Sequence, residues 1–405
     1  MAELLGTLLS LTALNKSRRS TNLFREGEKF VGWLAGTRQN AWQLLPIHPT
    51  TWKETNLFAS PYLGFGIGIN PLFAPSMKNV PYDPGFEETH RDWLDDYCLF
   101  MALADHFGTD SWTEWPKPIR RHEAKSLAAW KEKLADKIDY HCRLQVGLHK
   151  EYNELKLVAS SAGVKIIGDI PFYLPLNSPL VWAYQDCFLI NQKGGLPYVS
   201  GVEGSKQFIR QVWGHPLYDW SKLPRILKLW KIRLAYAACL YDWARLDSAI
   251  SFYVYGKMNS TNETLDVIAT GPGDRIFVPL IKYGRQLGLY VFCEDITDYD
   301  LTRIHKTMAR YEIPGVFVFT LDQSLENLDM LDIHYTSDHD SMTLLGFLQN
   351  QDEARKVRQF LQDRCRRLIL PLQDWLLTTD RVNTPGTISP DNWSYTVDLS
   401  KLKAP

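Results

Sequence analysis

Short apolar runs that end in polar residues alternate with stretches of helical spacing along most of this chain. The apolar runs have the character of strands buried on both faces and span 40–47, 164–169, 240–247, 289–295, 315–320 and 333–340. Apolar residues three and four positions apart predict helices at 24–39, 226–238, 276–287 and 301–311. Strands that alternate with helices predict an α/β fold with a parallel sheet. Strands that mostly end in Asp, Glu or His favour a (β/α)8 TIM barrel, whose chemistry lies at the carboxyl ends of its strands.

A different pattern interrupts the alternation between residues 86 and 162. Helical spacing dominates there, which predicts a helical insertion at 86–162. Residues 186–222 are interpreted as a loop-rich region over the cleft. The chain has 405 residues, a length that fits a barrel of roughly 250 residues with insertions, or two or three smaller domains. The barrel pattern favours a single catalytic unit over residues 1–405.

Charged residues at the ends of predicted strands carry the candidate chemistry. Arg245 and Asp247 lie two positions apart, so a strand directs both to the same side, and the guanidinium favours the ionised carboxylate. Glu294 and Asp340 end later strands, and a barrel brings such residues to one mouth. Two carboxylates there can flank a glycosidic bond, one as nucleophile and the other as acid and base, while a third binds sugar hydroxyls.

Each acid also has a structural interpretation. The alternatives are an ion pair between Arg245 and Asp247, a helix N-terminus at Glu294, and a hydrogen-bonded turn at His339-Asp340. A metal site is a competing hypothesis, in which the acids are joined by three histidines: His48, His334 and His339. These histidines lack the close ligand spacing of metal-binding motifs, which disfavours that hypothesis.

The composition bears on which binding partners and which cellular compartment the sequence predicts. A net charge of −1 and a pI near 6.8 lack the basic character typical of nucleic-acid binding. No apolar run reaches about 18 residues, and the positive charges follow the apolar segment at 4–14, so neither a membrane span nor a signal peptide is predicted. The cysteines show no Cys-x-x-Cys spacing and are predicted to be free thiols of a cytoplasmic protein. Aromatic residues make up 13% of the chain, which suits sugar rings and ordinary core packing equally.

Motifs along nearly the whole chain resemble those of one enzyme family. They are Ala41-Trp-Gln-Leu-Leu-Pro-Ile47, Ser60-Pro-Tyr62, Asn70-Pro-Leu72, Trp112-Thr-Glu-Trp-Pro116, Ile167-Gly-Asp-Ile-Pro171, Trp213-Gly-His-Pro-Leu-Tyr218, Arg245-Leu-Asp247, Gly271-Pro-Gly273, Glu294-Asp295, His339-Asp340 and Arg381-Val-Asn-Thr-Pro-Gly386. On these residues the chain is identified as a member of glycoside hydrolase family 77, the 4-α-glucanotransferases of the amylomaltase or disproportionating-enzyme type. The resemblance implies a barrel enzyme that transfers 1,4-α-glucan segments to the 4-hydroxyl of glucose or another glucan.

The resemblance also implies roles for individual residues. Asp247 matches the nucleophile, Glu294 the acid/base and Asp340 the acid that stabilises the transition state, while Arg245 matches the arginine that orients the nucleophile. The other matched substrate-binding positions are His339, Asp169, Tyr62, Asn70 and Trp213. The implied substrates are α-1,4-glucans and malto-oligosaccharides, and neither a metal nor an organic cofactor is implied, because the two carboxylates carry the chemistry.

Several positions beside these residues depart from the family pattern. Ser248 stands where the family has a His that binds a sugar hydroxyl, His215 replaces an Asn, and Ser341-Met342 replaces Asn-Asp. The reacting carboxylates are kept, but residues that position the sugar differ. Three hypotheses remain: a glucanotransferase with altered subsite preference, a glucan hydrolase or a transferase with another acceptor, and a catalytically impaired glucan-binding homologue.

Overall fold

A computed structural model of the chain describes residues 3–16, 21–75, 80–81, 83–204, 209–325 and 328–402. The strands are β1 (Leu4–Leu8), β2 (Ala41–Gln43), β3 (Lys165–Ile170), β4 (Tyr198–Val202), β5 (Gln211–Pro216), β6 (Trp243–Leu246), β7 (Val254–Asn259), β8 (Leu265–Thr270), β9 (Tyr290–Cys293), β10 (Val316–Val318), β11 (Ile333–Tyr335) and β12 (Arg367–Pro371). The α-helices are α1 (Leu23–Gly36), α2 (Pro84–Phe107), α3 (Lys117–Arg120), α4 (Ala124–Lys133), α5 (Ala135–Ser161), α6 (Pro179–Ala183), α7 (Leu223–Leu240), α8 (Asp274–Gln286), α9 (Thr302–Tyr311), α10 (Phe319–Asp322), α11 (Leu344–Leu348), α12 (Gln351–Arg364) and α13 (Leu372–Leu376). Across these described ranges, no helix is both long and apolar enough to cross a membrane.

The larger sheet of the described chain is a parallel barrel of eight strands. Its order is β10-β11-β12-β1-β2-β3-β6-β9, and every adjacent pair is parallel. At the remaining seam, the amide of Cys293 in β9 donates to the carbonyl oxygen of Pro314, just before β10, at 2.9 Å. Helices follow most of these strands, so the prediction of a (β/α)8 barrel is confirmed.

The alternation of side chains along the strands separates two apolar cores. Ile167 of β3 and Trp243 of β6 belong to a small cluster formed by barrel strands, whereas Ile166 belongs to the larger cluster that includes the helices. Residues two positions further along a strand face the same side. Asp169 and Arg245 therefore follow Ile167 and Trp243 on the inner side, and the β3–β6 register places them opposite each other.

Two barrel strands, β1 and β12, have no counterpart in the alternation read from the sequence. β1 lies inside the apolar segment at 4–14, and β12 has only five residues directly after α12. Both strands lie side by side in the sheet, where β12 is buried along its whole length. A short apolar run does not by itself distinguish a buried strand from a helix segment, so periodicity cannot reveal these two strands.

A second, antiparallel sheet of order β5-β4-β7-β8 lies beside the barrel in the described chain. β4 and β5 fall within 186–222, so the region that the sequence pattern predicts to be loop-rich contains two strands. A glycine interrupts each of them, Gly201 and Gly214, and this weakens the strand signal. Residues 205–208 of the region lie outside the described residues.

Helices α2 to α5 lie between β2 and β3, where the sequence predicts the helical insertion. Asp83 caps α2 by accepting hydrogen bonds from the amides of Gly85 and Phe86, and Gly108 ends the helix in the left-handed conformation. The predicted helical spacing therefore has its local start and stop signals. The boundaries of the insertion as a separate unit, 86–162, stay a prediction.

Two buried histidines, His149 within α5 and His48 after β2, make the stability of the fold sensitive to acid. Burial lowers the pKa of His48 to about 4 and that of His149 to about 3. His149 accepts a hydrogen bond from the hydroxyl of Tyr236 at 3.0 Å, which requires a neutral ring because its other nitrogen donates to the Gln145 carbonyl oxygen. The unfolded chain, in which histidine titrates near 6.5, therefore binds protons first as the pH falls.

We expect His48 and His149 each to lower the free energy of unfolding by roughly 3 kcal/mol as the pH decreases from 6.5 towards 4. The raised pKa values of the buried Glu294 and Asp169 act in the opposite direction over this range, so the histidine contribution is read from the difference between the wild type and a histidine variant. Urea unfolding at a series of pH values measures this loss. His149→Gln is expected to remove the contribution of His149, because a glutamine in place of the ring does not titrate. A free energy of unfolding that depends on pH in the same way in His149→Gln and in the wild type would contradict the assignment.

Candidate active site

Arg245 joins three carboxylates at the carboxyl ends of the inner strands. Its Nη1 donates to Asp247 Oδ1 at 2.8 Å and to Asp169 Oδ2 at 2.9 Å, and its Nη2 lies 3.8 Å from Glu294 Oε2. These acids follow or end three adjacent strands, β3, β6 and β9. The side chain of Arg245 is only 11% exposed, so little water competes for its donors. The guanidinium therefore holds the acids in a defined arrangement, and Arg245 and Asp247 share one side as predicted.

Glu294 is held by the backbone of the chain on two sides. Its Oε2 accepts from the amide of Ser248 at 2.6 Å, and its Oε1 accepts from the amide of Ile296 at 3.2 Å. Burial raises the pKa of Glu294 to about 8; the charge of Asp247 also raises it, whereas Arg245 and the Ser248 amide act in the opposite direction. The Glu294 carboxyl is consequently protonated at neutral pH and can donate a proton.

Asp169, Tyr62 and His339 form a hydrogen-bonded chain next to Arg245. The Tyr62 hydroxyl donates to Asp169 Oδ2 at 2.7 Å, so its oxygen accepts from His339 Nε2 at 2.9 Å. The rings of Tyr62 and His339 are stacked, with centroids 5.3 Å apart and an angle of 17°. Burial raises the pKa of Asp169 to about 6, against the attraction of Arg245. Three predicted positions from distant parts of the chain therefore meet at one point.

Asp340 lies beside this chain and is more exposed than the other acids. Its Oδ1 accepts from the Asn383 amide group at 2.7 Å, and its Oδ2 lies 3.5 Å from His339 Nε2. Arg381 donates to the backbone oxygen of Asp340 at 2.7 Å. Asn383 and Arg381 have no role assigned from the sequence, although both belong to the Arg381-Val-Asn-Thr-Pro-Gly386 motif, which was the signal that could have indicated them.

Asn70 and Trp213, the other predicted binding positions, lie apart from the Arg245 cluster. Asn70 is buried, and its side-chain oxygen accepts from the amide of Leu72, so it shapes the turn that follows it. Trp213 is on β5, with its ring centroid 5.9 Å from that of Tyr173. The Tyr173 hydroxyl donates to Ser251 Oγ at 3.3 Å, which connects this aromatic wall to the turn after Asp247.

The residues that depart from the family pattern keep defined contacts. Ser248 has a left-handed backbone (φ 46°), which is uncommon for a residue other than glycine, and its amide is the one that holds Glu294. Ser341 Oγ accepts from the amide of Asp338 at 2.9 Å. Burial lowers the pKa of His215 to about 4, so its ring is neutral, while Met342 is 43% exposed. The backbone amide at position 248 therefore holds Glu294 without the histidine side chain that is typical of the family.

A cleft opens beside His339, over the ends of β1, β2 and β12. Its wall includes Asn70, His48 and the indole of Trp393. Trp393 approaches both Tyr62 and His339, with ring centroids 5.9 and 6.1 Å away. Aromatic faces next to a cluster of carboxylates are a surface on which sugar rings can lie.

Potential metal ligands do not converge in the described residues. Nowhere in the described ranges does a group of three or more His, Cys, Asp or Glu side chains have an arrangement that could hold a metal ion. His48 and His339 both border the cleft, but His48 contacts the Gly68 carbonyl oxygen, and His334 contacts that of Arg367 away from the cleft lining. The three histidines of the alternative metal site are therefore not brought together.

A family model described as 4-alpha-glucanotransferase (Glyco_hydro_77) matches residues 74–400. The chain belongs to this family. Among curated relatives named 4-alpha-glucanotransferase, the one from Thermus thermophilus is 26% identical, across 96% of this chain and 94% of the relative. The one from Clostridium butyricum is 29% identical, across 92% of this chain and 91% of the relative.

Solved structures of the family share the fold. The amylomaltase from Streptococcus agalactiae in complex with acarbose has a TM-score of 0.81 and 24% identity, and the match covers 98% of this chain and 96% of that protein. The amylomaltase from Corynebacterium glutamicum has a TM-score of 0.72 and 13% identity, over 96% of this chain and 70% of that protein. At these identities the two structures support the barrel architecture alone.

Proposed function

We propose that this member of the family is a 4-α-glucanotransferase that works by a retaining double displacement, with Asp247 as nucleophile and Glu294 as acid and base. The observation that carries the proposal is the Arg245 guanidinium, which binds Asp247 and brings the buried Glu294 carboxyl to the same barrel mouth. A fixed carboxylate and a protonated carboxyl are the pair that retention at a glycosidic carbon requires. The names of the relatives agree with α-1,4-glucans and malto-oligosaccharides as substrates.

In the first step, Asp247 attacks the anomeric carbon of a bound α-1,4-glucan. Arg245 holds Oδ1, so Oδ2 is the oxygen available for the attack. The bond between the anomeric carbon and the glycosidic oxygen breaks while Glu294 gives its proton to that oxygen. The products are a glucan with a free 4-hydroxyl and a glycosyl ester on Asp247.

In the second step, the 4-hydroxyl of an acceptor glucan attacks the same carbon. Glu294, now a carboxylate, takes the hydroxyl proton, the ester bond breaks, and Asp247 is regenerated. Two displacements at one carbon restore the α-configuration. Trp213 on β5, which packs beside the buried Tyr173, offers an aromatic face for an acceptor sugar near the turn after Asp247, and this supports transfer rather than hydrolysis.

We assign the remaining polar side chains to sugar binding. Asp340 and His339, held by Asn383 and Tyr62, are placed to bind hydroxyls of the ring whose bond is cleaved. A carboxylate that binds two hydroxyls strengthens its hydrogen bonds as positive charge develops on the ring in the transition state. Asp169 acts through Arg245, because Arg245 Nη1 donates to Asp169 Oδ2 at 2.9 Å.

Incubation with maltotriose separates the three hypotheses. A ladder of longer glucans together with free glucose, resolved on a thin-layer plate, is the result expected for transfer. Glucose and maltose without longer products would replace the proposal by hydrolysis. Unchanged maltotriose at high protein concentration, combined with maltotriose binding in a titration, would identify an impaired glucan-binding homologue.

The rate of transfer is expected to fall as the pH rises through about 8, because Glu294 must be protonated in the first step and burial raises its pKa to about 8. Below that pH the protonated form of Glu294 predominates, so the raised pKa extends the active range to higher pH. The measurement is kcat/KM for maltotriose disproportionation against pH, which reports the acid of the free enzyme, with samples returned to neutral pH to exclude unfolding. If the rate stays level far above this pH, Glu294 is not the general acid.

A further inference from the structure

A small cavity lies behind the active-site acids, against the carboxyl end of β3. Asp169, Arg233 and Tyr241 line it, together with His48 and Tyr236. The space has room for about one water molecule. The cavity is distinct from the glucan cleft beside His339, although His48 borders both.

Three buried polar atoms of the lining residues have no hydrogen-bond partner in the described part of the chain. They are Asp169 Oδ1, Arg233 Nε and Tyr241 Oη. The side chains carrying them are 0%, 2% and 3% exposed, respectively, so bulk water does not solvate them. Buried polar atoms are almost always paired, because an unpaired one loses its hydration without compensation. The coincidence of three such atoms at one cavity indicates a bound polar molecule.

The chemistry of the three atoms matches a water molecule. Arg233 Nε–H can only donate, the Asp169 carboxylate oxygen can only accept, and the Tyr241 hydroxyl does either. A water molecule accepts from the first, donates to the second and uses its remaining proton or lone pair for the third, which completes the usual number of about three hydrogen bonds. A metal cation is disfavoured by Arg233 and an anion by Asp169.

We propose that an ordered water molecule occupies this cavity and links Asp169 to Arg233 and Tyr241, which makes Arg233 and Tyr241 positioning residues for the active site. The effect of this water molecule on the reaction rate rests on the proposed function. Oδ2 of Asp169 is already shared by Tyr62 and Arg245, and the water fixes Oδ1, so the carboxyl cannot rotate away from Arg245. Arg245 in turn holds Asp247.

Arg233 is suited to this role because its charge has no carboxylate partner in the described chain. Its Nη atoms donate to the carbonyl oxygens of Pro171 and Phe172 and to the Tyr218 hydroxyl. The guanidinium also lies over the ring of Trp230, 4.1 Å from its centroid, so all of these partners are neutral and none is a carboxylate. The water therefore gives a buried cation access to a buried carboxylate that it does not touch directly.

Tyr241→Phe tests the proposal, with Tyr152→Phe as its matched control. Both are buried tyrosines, but the Tyr152 hydroxyl donates to the Leu240 carbonyl oxygen at 2.9 Å, and Tyr152 does not line the cavity. We expect Tyr241→Phe to lower kcat for maltotriose by about tenfold with KM unchanged, because Asp169 and Arg245 lose their fixed position. Tyr152→Phe is expected to keep kcat while losing thermal stability.

The acid limb of kcat/KM, the loss of activity at low pH, gives a second readout. The groups that face Asp169 are Arg245 of β6, Asp247 directly after this strand, Tyr62, His339 and Tyr335, and, across the cavity, Arg233 and Tyr241. Loss of a hydrogen bond to the ionised carboxylate raises its pKa. The acid limb is therefore expected to move to higher pH in Tyr241→Phe and to stay in place in Tyr152→Phe. Identical profiles for the two variants would overturn the positioning role.

A crystal structure of the wild-type protein tests the site without any activity measurement. A solvent peak within hydrogen-bonding distance of Asp169 Oδ1, Arg233 Nε and Tyr241 Oη is expected. An empty cavity with ordered walls would overturn the inference. A protein that shows the peak but does not transform maltotriose would instead refute the proposed function, so the two failures are distinguishable.

Discussion

Asp247→Asn is expected to lower the rate of maltotriose disproportionation by about 10⁴-fold or more. The asparagine side chain has the same shape and its oxygen can still accept from Arg245 Nη1, which contacts Asp247 Oδ1 at 2.8 Å. The fold and the arrangement of Arg245 should therefore persist. An amide cannot form the glycosyl ester, so the loss should appear in kcat, with maltotriose binding retained in a titration.

Asp242→Asn is the matched control, because Asp242 immediately precedes the same strand at its opposite end. Its Oδ2 accepts from the amide of Ile166 at 2.8 Å, a contact that an asparagine oxygen can also make. Residues at the amino-terminal face of a barrel serve stability rather than chemistry. Asp242→Asn should keep the transfer rate of the wild type. A glucan ladder that persists in Asp247→Asn would show that another residue is the nucleophile.

Glu294→Gln is expected to reduce kcat by about 10³-fold, in keeping with the loss of general acid and base catalysis. The glutamine oxygen can accept from the Ser248 and Ile296 amides as Glu294 does, so the site should remain assembled. An α-maltosyl fluoride donor needs no proton on its leaving group, and azide needs no base as an acceptor. The two together are expected to restore turnover in Glu294→Gln and to give α-maltosyl azide, the product of retention.

Asp295→Asn supplies the control for a neighbouring acid. Asp295 is hydrogen-bonded to His305 at 2.7 Å and to the Val316 amide at 3.1 Å. We expect Asp295→Asn to keep most of the rate and to show no dependence on azide. The alkaline loss near pH 8 should disappear in Glu294→Gln with the fluoride donor, because the titrating group is gone. A β-configured azide product would contradict the double displacement.

The barrel fold and the acidic residues at the ends of its strands can be predicted from local patterns in the sequence. The strand period of two places Arg245 and Asp247 on one side, and strands that alternate with helices lead to a parallel sheet. The family motifs extend the prediction of site residues to positions outside the clearest strands, such as Tyr62 and His339. β1 and β12 escape these patterns because five-residue apolar runs carry no period, and their pairing is decided by their position between other strands.

The sequence by itself determined which residue types stand at the ends of the inner strands, because strand periodicity and motif spacing are local properties of the chain. Only the tertiary structure decided how they act. The burial that raises the Glu294 pKa to about 8, the Ser248 amide that holds it, and the shared contact of Arg245 with Asp169 all depend on strands that are distant in sequence. Burial and hydrogen-bond geometry are properties of neighbours in space, which no spacing along the chain specifies.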